Sequence, residues 1–391
     1  MPSGTHDAWA PLDGIRIIDF SMLLPGPLTT LILADLGAEV IKVEPPGGDY
    51  ARHMKSAMFQ GANRNKKSIA LDLKSPGAAA VIERLASYGD VAIEGFRPGV
   101  VARLGCGAEA LQAINPRLVC CSLSGYGQTG PLRDKAGHDL AYMAMGGGLA
   151  LKGHLRQPPG RASLPFADMV GGAFAAVAIL AALQERDRRP VAAALDMSLY
   201  ESTLYASAIR FGFTTAAGST DHLYPANDLF CCADGRMLAL TVVEEKFWDN
   251  LVAAAGALAP ELRDPAFATE EGRAANAERL MAILDRMFAS RPAGDWVSFL
   301  DRHDVPATVC VTNQEALLSD HAMARGMHVG EGAAATMPFP VIASGMRVAR
   351  NGTPAPALGA DGHGILAALG FSDDEAASLV ARGIVHVPEH A

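Results

Sequence analysis

The sequence predicts an α/β fold, with a large domain on a mostly parallel, Rossmann-like sheet and a smaller α+β domain. Three observations carry this. Short apolar runs at Ile15–Phe20 and Glu39–Glu44 flank a helical pattern at Pro27–Leu36, begun by proline, which is the order of a βαβ unit. Asp90–Glu94 and Leu118–Ser124 supply two further strands, with helical pattern at Gly77–Ser87 and Glu109–Ile114 between them. An Asp234-Gly235 step between apolar runs then marks an antiparallel hairpin, the start of a second unit.

The later elements set the domain boundaries. Ala-rich Val170–Gln184 and Leu195–Ile209 read as long helices, with Gly171 and Gly172 where close helix packing is expected. Met169–Leu183 is an uninterrupted apolar and glycine run. It falls short of the roughly 20 residues a bilayer span needs and is expected to be a buried helix. Residues 11–213 then form the first part of the large domain, 214–226 a linker and 227–325 the small domain. Helices are expected there at Glu245–Ala255, Ala275–Ala289 and Ala293–Asp301. Residues 326–391, rich in Pro, Gly and short apolar pieces, read as a linker and a strap returning to the large domain.

At 391 residues, 50% apolar and 19% charged, the chain is long enough for two cores. A net charge of -9 argues against general nucleic-acid binding, so any anionic ligand must meet a local basic site. The six cysteines, 106, 120, 121, 231, 232 and 310, have no zinc or redox spacing and read as small buried apolar residues. Met1–Pro11 has no apolar signal core, and a reducing, cytoplasmic location is expected. Ser21-Met22-Leu23-Leu24-Pro25-Gly26 stands after the first strand in place of G-x-G-x-x-G, which argues against NAD; no metal is implied.

The chemistry centres on His138 and Asp168, thirty residues apart. Two proton carriers of different type serve a reaction that takes a proton from one face of a carbon and returns one to the other, inverting a stereocentre. Each residue has a plainer reading, a packed or capping histidine and the N-cap of an apolar helix. An unperturbed imidazole, with pKa about 6.5, populates both protonation states near neutral pH. Around Asp168 the apolar Leu164, Pro165, Phe166, Met169 and Val170 raise the carboxyl pKa by desolvation, whereas a helix N-terminus lowers it.

Gly14–Phe20, Pro25-Gly26-Pro27, Leu33–Glu44, Lys67–Lys74, Glu94–Val100 and Ser122–Pro131 follow in order. The series resembles the family III CoA-transferases from about Leu12 to the C-terminal region. Gly137-His138-Asp139 is similar to the α-methylacyl-CoA racemase branch, which holds a histidine where the transferases generally do not. Val243–Trp248 places Glu244 where the racemases have the glutamate that supports the histidine, although Glu244, like Glu245, also suits a surface position near a helix start. No glycine run, the flap the transferases often carry, lies between Phe230 and Trp248.

The resemblance implies a racemase or epimerase of 2-methylacyl-CoA thioesters. Its catalytic residues would be His138, Asp168 and Glu244, with the Asp139 backbone N–H as donor to the enolate oxygen. The alternative it implies is a CoA-transferase in which Asp168 is a nucleophile forming covalent intermediates. A CoA-thioester binding or regulatory protein is a third reading, against which the presence of all three residues speaks. CoA enters as part of the substrate, and no cofactor is permanently bound. Ala70, Leu71, Asp72, Leu73 and Lys74 are implied around the adenine, Gly137 in the cofactor site, and Arg97 and Arg103 at the phosphates. Pro45 departs from the family, which usually has a basic residue there; Lys42, Arg52, Arg64 and Lys66 are possible substitutes. Tyr142, Met143 and Met145 could line the acyl pocket or belong to the core. The family also implies a large split domain and an interlocked homodimer, with neither nucleic acid nor membrane as partner.

Overall fold

The computed structural model describes residues 9–157, 160, 163–212, 216–217, 219–328, 337–348 and 352–388. Most of Met1–Pro11 and part of the 214–226 linker lie outside them. The chain divides into two units. The larger comprises Met1–Gly148, Ala162–Ile209 and Asp320–Ala391, the smaller Leu149–Arg161 and Arg210–Ser319.

In the larger unit the order is β1 (Arg16–Asp19), α1 (Pro25–Asp35), β2 (Glu39–Glu44), α2 (Met58–Asn63), β3 (Lys67–Leu71), α3 (Ala78–Tyr88), β4 (Val91–Glu94), α4 (Val100–Arg103), α5 (Ala108–Ile114) and β5 (Val119–Ser124). It continues with α6 (Asp139–Met145), α7 (Phe166–Glu185), β6 (Ala194–Ser198) and α8 (Leu199–Phe211), the end of which passes into the smaller unit. The sheet runs β6-β5-β4-β1-β2-β3, all parallel, and is closed beside β3 by a short antiparallel strand from the chain's end. Ile17, Ile18, Val40, Ile41, Ile69, Val91 and Val119 are buried, the continuous apolar reading of strands covered on both faces. On one face Val81, Ile82 and Leu85 of α3 and Leu111 of α5 share a core with these strands.

Near the opposite end of the sheet, α7 packs on α1, β5 and β6. A Cβ on Gly172 would lie 2.7 Å from the Pro25 carbonyl oxygen, and one on Gly171 2.3 Å from Leu199 Cδ2. The two glycines thus let the elements close up, and Thr29 Oγ1 donates to the Gly172 carbonyl at 2.9 Å. Two expectations are corrected here. The helix begins at Phe166 and runs 20 residues; with its 3-10 continuation it is long and apolar enough for a bilayer by length and composition. It is also buried on one face only, since Val177 on the other is 63% exposed.

Leu195–Ile209 is not one helix. Ala194–Ser198 pairs in parallel with β5, Cys121 opposite Leu195 and Leu123 opposite Met197, and the helix starts at Leu199. Strand pairing overrides the local helix preference there. Lys67–Leu71, part of the Lys67–Lys74 motif, is the further strand β3, paired with β2.

The smaller unit holds β7 (Asn227–Cys231), β8 (Met237–Thr241), α9 (Glu245–Ala255), α10 (Glu270–Ala275), α11 (Ala277–Phe288), α12 (Ala293–Asp301), β9 (Ala307–Val309) and α13 (Asn313–Leu317). Gly235, at φ +76°, supplies the left-handed residue of the β7–β8 turn. The three strands pair β7-β8-β9, and Phe230, Leu238, Trp248, Leu284, Phe288 and Trp296 form the core. The unit also takes in 149–161, expected in the large domain. Ala226 joins its core and accepts from the Val242 N–H, so the end of the 214–226 segment is not a free linker.

Past Ser319 the chain returns to the larger unit through α14 (Asp320–Ala324), α15 (Gly362–Ala368), α16 (Asp373–Ala381) and β10 (Val385–His386). Among its described residues the strap thus carries two helices and a strand, with Ile365, Leu366, Leu369 and Leu379 in the sheet's core. Cys231 and Cys310 are exposed, contrary to the reading of all six cysteines as buried.

Candidate active site

A cavity of about 290 Å³ opens at the carboxyl ends of β1, β4 and β5. The strand order reverses direction between β1 and β4, and open parallel sheets bind ligands at that switch point. Met22, Leu23, Pro25 and Gly26 after β1, Gly95–Pro98 after β4, Ser124–Tyr126 at the end of β5, Arg133 and Lys135–His138 before α6, and Tyr142 and Asp168 all contribute to its wall.

The wall after β1 is fixed by buried ions. Lys42 on β2 lies 2.9 Å from Asp49 and donates to the Ser21 carbonyl at 2.9 Å. Asp49 in turn accepts the Leu23 N–H at 3.0 Å, holding Leu23 in a left-handed conformation, φ +67°. Lys66 donates to Asp19, Pro27 and Asn63. Burial alone would raise the Asp19 carboxyl, but Lys66 and then Lys42, with the Ser21 and Thr30 hydroxyls, hold it down at about 2.

The four basic residues named as substitutes at the Pro45 departure all have partners inside the larger unit. Lys42 and Lys66 are fully engaged inside the protein, Arg52 is bidentate to Glu44, and Arg64 pairs with Asp35.

His138 occupies the cap position of α6 in extended conformation, φ −133° and ψ 175°, and its side chain is exposed on the cavity wall. Its carbonyl accepts from the Ala141 and Tyr142 N–H groups. Asp139 heads the helix, buried, and its own N–H has no acceptor within the helix. Asp168 sits in the first turn of α7. Burial, and after it the charge of Asp139, pushes its carboxyl up to about 7, so desolvation outweighs the helix terminus.

Tyr142 spans the back of the site. Its hydroxyl donates to the Gly137 carbonyl at 2.6 Å, and its ring meets Tyr126 edge-on at 5.3 Å. A Cβ on Gly125 or Gly137 would come within 2.6 or 2.7 Å of that ring, so both glycines are required for its seat. Burial, then Asp168, pushes the Tyr142 hydroxyl up to about 12, keeping it a donor.

The expected residues therefore divide. Gly137, His138, Asp168, Tyr142 and Arg97 line one cavity, with Asp139 directly behind. Arg103, exposed on α4, and Ala70–Lys74, at the end of β3, are not among the lining residues. Ala70 and Leu71 are buried in the sheet, and Asp72 accepts the Lys74 N–H. Met143 is core and Met145 is exposed beside Lys135. Glu244 belongs to the smaller unit, exposed at the cap of α9. Sequence reasoning gave no role to Arg133, Lys135, Ser124 or Tyr126. The Ser122–Pro131 motif runs from the end of β5 into the loop beyond, and that position is the sequence signal for the last two.

Fold and site together define a doubly wound α/β protein with an imidazole and a raised carboxyl in a cavity at its switch point. Residues 12–362 match CoA-transferase family III, and the chain belongs to that family of enzymes, whose members use CoA thioesters. It is 34% identical to succinyl-CoA–D-citramalate CoA-transferase of Chloroflexus aurantiacus, over 82% of this chain and 83% of that protein. It is 31% identical to human α-methylacyl-CoA racemase, over 96% and 97% respectively. The crystal structure of a CAIB/BAIF family protein from Brucella suis superposes with a TM-score of 0.81 at 29% identity, covering 92% of this chain and 99% of that one.

Proposed function

We propose that the protein is a racemase or epimerase of 2-methylacyl-CoA thioesters. One observation carries the reading: His138 and Asp168, the latter raised to about 7, face a single cavity. Near neutral pH such a carboxyl exists in both forms and can accept or return a proton.

Asp168 takes the α-proton as the C–H electron pair moves onto the thioester oxygen. The Asp139 N–H donates to that oxygen. The pair then returns to Cα, which takes a proton from the protonated His138 on the opposite face. In the reverse direction the two groups exchange roles, and no atom is gained or lost overall. Arg97, for which no ion pair is found among the described residues, meets the CoA phosphates at the cavity wall.

The second reading, CoA transfer, is favoured by the transferase names among the relatives. There Asp168 attacks the thioester carbonyl carbon, the C–S bond breaks and CoA leaves as thiolate. Incubation of a 2-methylacyl-CoA in heavy water without acceptor acid separates the two. Deuterium at Cα with loss of optical purity is expected. No exchange across a panel of thioesters, together with CoA passed to an added acid, overturns the racemase reading.

The active form we propose is a homodimer. Val177 on α7 and Leu204, Tyr205 and Ile209 on α8 are all exposed, a concentration of apolar side chains that suits a second copy. Light scattering is expected to give twice the chain mass at assay concentration; an active monomer refutes the dimer.

A further inference from the structure

We infer that the Asp139 side chain, as distinct from its backbone amide, is a positioning residue: its carboxylate caps α7 from outside and sets the charge environment of Asp168. The inference rests on Asp168 being the reacting carboxylate and holds for either reaction above.

The first N–H groups of a helix lack intrahelical acceptors, and a side chain at the cap position normally satisfies the second or third of them. In α7 the cap position is Pro165, which has no side-chain acceptor to offer. The third residue of the helix is Asp168. Its N–H donates instead to Asp139 Oδ1, 3.3 Å away on α6. Asp139 is buried, and α6 packs on α7. The contact that ties the start of α7 to α6 therefore also places one carboxylate against the backbone of another. Like charge at this range disfavours ionisation of Asp168, adding to the larger effect of burial.

The other groups around Asp168 leave Asp139 as the acidic neighbour. From α6 come Tyr142 and, at its cap, His138; Tyr126, Arg97, Arg133 and Lys135 complete the titratable wall. Against the rest of α7, α1 brings Asp35, paired with Arg64, while β5 brings Cys120 and Cys121. Asp196 of β6 accepts from the Gln128 N–H, and Tyr205 of α8 meets Phe174. Arg186, Asp187 and Arg188 sit past the far end of the helix.

The test is the pH profile of kcat/KM, which reports the free enzyme, measured on the enantiomer from which Asp168 takes the proton, for the wild type and Asp139→Asn. The amide keeps an oxygen to accept the Asp168 N–H and removes the charge. The acid limb is expected near pH 7 in the wild type and lower by about one unit in the variant. Asp139→Glu, which keeps the charge, is expected to hold its limb near the wild-type value. If the asparagine variant does not fold, Asp139→Ser is read in the same way. An unmoved limb in a folded, uncharged variant, or a wild-type limb in the ordinary carboxylate range, overturns the inference. Racemisation at the wild-type rate in Asp168→Asn overturns the underlying assignment of Asp168 instead.

Discussion

On the racemase reading, Asp168→Asn and His138→Ala are each expected to lose racemisation, by roughly 10²–10⁴-fold, the range for removal of a general acid or base. The losses are expected to differ in handedness. A group that abstracts the proton from one enantiomer still does so when its opposite number is gone, so each variant retains some α-proton exchange on one enantiomer. The two variants retain it on opposite enantiomers. Chiral analysis of thioester recovered from heavy water reads this directly. Both substitutions leave the Asp168 N–H bond to Asp139 and the core strands untouched, so melting temperatures stay close to wild type. Full racemisation in His138→Ala would falsify the two-sided mechanism. Exchange restricted to the same enantiomer in both variants would mean that the two residues work on one face.

The second large effect concerns folding. Lys42→Met leaves Asp49 buried without the cation beside it and the Ser21 carbonyl without its donor. Breaking a buried pair in this way costs about 3–5 kcal/mol, and denaturant titration is expected to show a loss of that size. The cavity suffers as well, because Asp49 holds the Leu23 amide. Whatever protein remains folded should show a raised KM. A loss under 1 kcal/mol, with KM unchanged, contradicts the role given to this pair.

The parallel sheet was legible because its central strands are short apolar runs with little competing periodicity. Ile15–Phe20, Glu39–Glu44 and Leu118–Ser124 all lie within a residue or so of the observed strands. The misread elements are those whose state depends on partners distant in sequence. Ala194–Ser198 becomes a strand by pairing with β5, some seventy residues away. Ala70 and Leu71 serve the sheet between β2 and the chain's last strand, and no local pattern announces either neighbour. In the site, His138 and Asp168 stood out by residue type. The direction of the Asp168 shift did not, since it is decided by depth of burial and by a carboxylate 29 residues earlier. The basic residues failed for a related reason: a lysine spent on a buried partner and a lysine free for phosphate look alike in one dimension.

β10 has a consequence for the order of events during synthesis. The larger unit is assembled from three stretches of chain, and its last strand and two of its core helices lie within the final thirty residues. Until these emerge, the edge of β3 and the apolar patch meant for Ile365, Leu366 and Leu379 have no cover. The smaller unit, ending at Ser319, has all its strands by then. Translation therefore delivers a compact minor half while the major half still carries an open strand edge, the kind of species that associates with others of its kind. A ribosome stalled short of Gly362 holds the Asp168 carboxylate already made, on a sheet whose β3 edge is still open.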